Sequence, residues 1–72
     1  MTTDLGSTFS ANLKRLRTRR NLSQEALARE THLSVSMISM LERAQREPSF
    51  ASLEQLAAAL AVRPADLLKA RA

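Results

Sequence analysis

Apolar residues recur along this chain at intervals of three and four, and short polar residues stand where each run begins. From Thr8, the series Phe9, Leu13 and Leu16 marks one stripe of a helix, with Ser7 or Thr8 as its cap and Lys14, Arg15, Arg19 and Arg20 mostly elsewhere on the cylinder. Asn21 ends that helix, and Leu22 packs as an apolar staple ahead of Ser23.

Ser23 precedes Gln24 and Glu25, so its hydroxyl caps free backbone N–H groups while Glu25 sits at the positive end of the helix dipole. Leu27, Ala28 and Thr31 form the inward face of this second helix, and the small Ala28 lets another helix cross closely. Ser34 offers the next cap, after which Val35, Ile38 and Leu41 or Glu42 recur at helical spacing. Only Thr31, His32 and Leu33 lie near the junction, enough for a sharp turn with Leu33 pointing inward, so the two helices must cross steeply. Ser34, Val35, Ser36, Ser39, Met40 and Arg43 are left on or beside the face that points away from that packing. Short groups ending in a cation suit contact with base edges.

The segment after Arg43 is polar and closes at Pro48, which disfavours helix at Glu47. This loop places Gln45 and Arg46 with Arg43, where amides and cations meet a phosphate backbone. Ser49 or Ser52 caps a fourth helix whose buried stripe is Leu53, Leu56, Ala57 and Leu60, and Pro64 opens a fifth running through Asp66, Leu67 and Leu68 to Lys69.

Taken together, Ser23 to Ala28, Leu33 to Arg43, Pro48-Ser49 and Leu56 to Val62 resemble the Cro/phage-repressor (Xre-type) helix-turn-helix domain over roughly residues 13–68. Two positions depart from the family pattern: His32 and Ala44 stand where glycine is usual. His is among the non-glycine residues that best tolerate a left-handed backbone. The resemblance implies an all-α, compact five-helix bundle that binds double-stranded DNA. It assigns Ser34, Val35, Ser36, Ser39 and Met40 to the major groove, with Met40 equally suited to the core. Gln24 is assigned to the phosphate backbone and to bracing the recognition helix, the alternative being a plain first-turn residue. Arg43, Gln45 and Arg46 are assigned to phosphate or the groove edge, against the alternative of ordinary surface charge. It also implies an ion pair between Arg17 and Glu42. Such domains bind as symmetric dimers to half-sites about one helical turn, ~34 Å, apart. The interface is expected on the last two helices, with Val62, Leu67 and Leu68. Free-standing domains of this type occur among phage repressors, restriction–modification controllers and antitoxins.

Composition narrows the picture further. At 72 residues the chain has room for one domain, expected over residues 8–69 between a flexible arm at 1–7 and a frayed end at 70–72. With two Phe and neither Trp nor Tyr, the core must be built of Leu, Ala, Ile, Val and Met. The net charge of +4 favours polyanions. The absence of Cys excludes disulfides and thiolate metal sites, and neither a signal-like terminus nor a membrane-length apolar run is present. A soluble, cytoplasmic protein is expected. One His without paired carboxylates or a glycine-rich loop leaves no catalytic or metal constellation, and no enzyme activity, cofactor or small-molecule ligand is expected. The competing reading is a protein-interaction module, such as an antitoxin-like partner, for which DNA binding is secondary.

Overall fold

Each of the five helices begins where a side-chain oxygen or a proline sets its first turn, and a computed structural model describes the result over residues 4–70. The order is α1 (Leu5–Arg19), α2 (Gln24–Thr31), α3 (Val35–Glu42), α4 (Phe50–Leu60) and α5 (Pro64–Leu68). Ser23, Ser34 and Ser49 each accept a hydrogen bond from the backbone N–H three residues on, capping α2, α3 and α4.

The start of α1 differs from expectation. The helix begins at Leu5, not after Ser7 or Thr8, because Asp4 accepts a hydrogen bond from the Ser7 N–H at 3.2 Å. A carboxylate at this position both satisfies a free donor and complements the helix dipole. Residues 5–7, expected in a loose arm, are therefore helical. The rest of that arm, 1–3, and the end of the expected frayed segment, 71–72, lie outside the described residues.

The helices end on left-handed residues at a series of non-glycine positions: Asn21 (φ 57°), His32 (62°), Ala44 (59°) and Ala61 (58°). After α1, α3 and α4 a backbone bond closes the last turn: Leu22 N–H to Arg17 O (3.1 Å), Gln45 N–H to Met40 O (2.8 Å) and Val62 N–H to Ala57 O (3.0 Å). His32 and Ala44, the two departures from the family's glycines, thus keep the left-handed backbone that glycine would adopt.

α1 packs on α3 and α5, α2 on α3 and α4, and α4 on α5. Phe9, Leu13, Leu27, Ile38, Leu41, Leu56 and Leu67 fill the centre. Each such side chain is worth about 1.5–3 kcal/mol relative to its exposed state. The two phenylalanines part company: Phe9 is buried, whereas Phe50 is 88% exposed. Leu67, assigned from sequence to a dimer interface, is 0% exposed and belongs to the core of the single chain, so it has no surface to offer a partner. Leu68 and Val62 are partly buried against that core.

Three polar residues are also buried: Thr31, whose hydroxyl donates to Leu27 O within α2, and two on α1 that reach other helices. Asn12 Nδ2 donates to the carbonyls of Leu67 and Lys69, both at 2.9 Å, tying α1 to the end of α5. Ser10 Oγ donates to Leu41 O at 2.6 Å, tying α1 to the end of α3. Both satisfy helix-terminal carbonyls that have no partner within their own helix.

Candidate nucleic-acid interface

α3 is eight residues long and turns Ile38 and Leu41 into the core. Three-and-four spacing then places Ser36, Ser39, Met40 and Arg43 on an outward stripe, with Val35 beside it. Val35 and Ser36 are exposed, and Ser39 and Met40 are half-buried. Met37, not Met40, is the methionine that packs against the core. Ser34 caps the helix through Met37 N–H at 2.9 Å, so its hydroxyl is engaged by the backbone.

A polar clamp holds this helix from behind. Arg17 Nε donates to Glu42 Oε2 at 2.6 Å and Nη2 to Oε1 at 3.1 Å, a two-pronged pair with side-chain exposures of 15% and 4%. Gln24 Nε2 donates to the same Oε1 at 3.1 Å, and Arg17 Nη1 donates to Leu22 O at 2.8 Å. The hydrogen bond to Glu42 raises the Arg17 pKa above its ordinary value, against the opposing effect of desolvation. One carboxylate therefore joins α1, the start of α2 and the end of α3. Its second effect is electrostatic. Glu42 is the sole acid in α3, and its burial against Arg17 removes negative charge from the outward stripe.

Arg43, Gln45 and Arg46 are exposed in the turn that follows α3. Arg43 Nε lies back along the helix, donating to Ser39 O at 3.3 Å. The other basic residues considered from sequence do not join this group. Arg15 and Arg19 line a cleft between α1 and α5 with Val62 and Lys69, and Arg20 Nη1 donates to Ala59 O near the end of α4. The residues placed together are thus Val35, Ser36, Ser39 and Met40, followed by Arg43, Gln45 and Arg46, with Gln24 behind them on Glu42. Ser10 was not identified from sequence; a serine flanking an apolar stripe carries no signal that it will meet another helix's carbonyl.

Among the described residues no helix is long and apolar enough to cross a membrane, and no group of three His, Cys, Asp or Glu gathers as a metal site.

Known proteins share this fold. A helix-turn-helix family model matches residues 13–67. The control protein C.BamHI of Bacillus amyloliquefaciens is 38% identical over 69 residues, covering 94% of this chain and 85% of that protein. The crystal structure of the restriction-modification controller protein C.AhdI from Aeromonas hydrophila matches with a TM-score of 0.83 at 39% identity, over 86% of this chain and 94% of that one. A hypothetical transcription factor, NHTF from Neisseria, matches with a TM-score of 0.89 at 33% identity, over 93% of this chain and 77% of that one.

Proposed function

Because the chain belongs to the Cro/phage-repressor (Xre-type) helix-turn-helix family of DNA-binding regulators, we propose that it controls transcription by binding a pseudo-palindromic operator as a homodimer. The observation that carries this reading is the acid-free outward stripe of α3, rigidly backed by the Arg17–Glu42–Gln24 clamp and followed by Arg43 and Arg46. Val35 meets a thymine methyl, and Ser36 and Ser39 bond to base edges or nearby phosphate. Met40 lies against the groove wall. Arg43, Gln45 and Arg46 hold the sugar–phosphate backbone and fix the register of α3. Gln24 contributes through Glu42, steadying the end of the recognition helix. A second copy is needed because one eight-residue helix reaches too few base pairs for high specificity.

The name of C.AhdI, a restriction-modification controller protein, supports a setting in restriction–modification control. The test is a titration of isotope-labelled protein with a duplex, followed residue by residue through amide chemical shifts. Shifts concentrated on residues 34–46 are expected. Shifts confined to the α1–α5 cleft would contradict the reading.

A further inference from the structure

Phe50 presents 88% of its surface to solvent at the first position of α4, and Leu5 presents 58% at the first position of α1. These are the two most exposed large apolar side chains among the described residues, and they lie on one groove. Leu5, Phe9, Pro48, Phe50, Leu53 and Leu68 line it, and its volume is about 280 Å³. A cavity of about 150 Å³ accepts benzene, so the groove has room for a phenyl ring. We infer that this groove is where a second copy of the chain docks, with the Phe50 ring of each protomer seated in the groove of the other. The inference deepens the homodimer reading and rests on it.

Three features select a second copy as the occupant. Phe50 is both the projection and part of the wall of the recess beside it, so a twofold axis through this face fills both recesses at once and closes the assembly. Among the described residues, Asp4 and Glu47 are the charged ones along the groove, and no cation lines it. On a chain of net charge +4, such an acidic rim repels phosphate and excludes DNA as the occupant. Finally, Glu47 and Pro48 directly continue the turn that carries Arg43, Gln45 and Arg46, so pairing here fixes the separation of the two DNA-facing turns. A standard interface takes about 800 Å² from each partner, roughly a sixth of the 4763 Å² of this chain. An exposed aromatic beside a recess is the kind of central anchor that dominates such contacts. Leu68 keeps its place in the interface, and Leu67 is replaced by Phe50, Leu5 and Pro48.

The experiment measures self-association of the full chain by sedimentation equilibrium, for the wild type and for Phe50→Glu. It is paired with intermolecular nuclear Overhauser effects in a mixture of labelled and unlabelled wild type. The wild type should form dimers, with contacts from the Phe50 ring of one protomer to Leu5 and Leu68 methyls of its partner. Phe50→Glu should weaken the dimer about 30-fold or more, while its thermal unfolding stays cooperative because the side chain is outside the core. Equal association of both proteins, or intermolecular contacts elsewhere, would overturn this interface and leave the homodimer standing. A wild type that remains monomeric at millimolar concentration, with and without operator duplex, would overturn both.

Discussion

Arg17 on α1 and Glu42 at the last position of α3 are joined by two hydrogen bonds, of 2.6 and 3.1 Å, across 25 residues of sequence. The side chain of Glu42 is almost wholly removed from solvent, so its charge is tolerable only while Arg17 and Gln24 remain against it. The bond anchors α3 and keeps its one acid off the outward stripe. Position and charge are thus set by the same contact.

Removing both partners should therefore cost less than the two single losses added together. Arg17→Met is expected to lose about 3 kcal/mol by leaving Glu42 uncompensated, and Glu42→Gln somewhat less because an amide still accepts from Gln24. The double variant should be more stable than the sum of the two losses by about 1–3 kcal/mol. Urea denaturation of all four proteins measures this, and simple additivity would mean that the pair does not hold the fold. Since the pKa of Arg17 is raised, its contribution is full below the unfolded value and lost only as pH rises through the still higher folded one. The loss from Arg17→Met should accordingly be constant across neutral pH.

Ala44 and Ala61 adopt a backbone that costs an alanine about 1–2 kcal/mol and glycine little. Ala44→Gly and Ala61→Gly should each stabilise the protein by ~1 kcal/mol, a rise of about 4–8 °C in Tm for a chain of this size. A fall in Tm for either would show that the left-handed turn is not the relevant constraint there.

Arg63 N–H donates to Asp66 Oδ2 at 3.0 Å at the start of α5, and that bond, followed by the Arg63 guanidinium, holds the Asp66 carboxyl below the usual carboxylate range. A lowered folded pKa gives stability that is present above the unfolded value, about 3.9, and is lost as pH falls through the folded one. Asp66→Asn should be slightly less stable than the wild type at pH 7. The difference should close below about pH 4, as thermal unfolding at a series of pH values would reveal. A difference that persists at pH 2 would remove the carboxylate's charge as its cause.

The surface roles should separate by salt dependence. Arg46→Ala is expected to weaken binding equally across sequences and reduce the slope of log affinity against log salt by about 1. Val35→Ala should leave the slope unchanged and relax preference at one base pair. Anisotropy titrations with operator and scrambled duplexes distinguish the two, and a Val35 variant that behaves like Arg46→Ala would remove Val35 from base reading.

Much of the fold was legible because its signals are local. Ser23, Ser34 and Pro64 mark helix starts by their own chemistry, and Leu27, Ala28 and Ile38 by their spacing. What escaped depends on neighbours distant in sequence. Leu67 and Leu68 are adjacent and alike, and only the packing of α5 against α1 and α4 decides that Leu67 goes inside. Phe50 fell outside the predicted stripe of α4, and only the structure shows it standing 88% exposed at the helix's first position. The burial of Ser10 and Asn12 follows from which carbonyls happen to end against α1. At the candidate interface, spacing alone defined the outward stripe of α3, the Arg17–Glu42 pair required the family pattern, and the bond from Gln24 to Glu42 had no sequence signal.

The most direct test of the central claim is selection of duplexes from a random-sequence pool by the purified protein, with the selected duplex then titrated at several salt concentrations. The account predicts an enriched inverted repeat, with half-sites about one helical turn apart and steeply salt-dependent binding lost in Arg43→Ala plus Arg46→Ala. Salt-dependent binding with no enriched sequence would contradict it, leaving a basic helical domain whose α3 reads no bases.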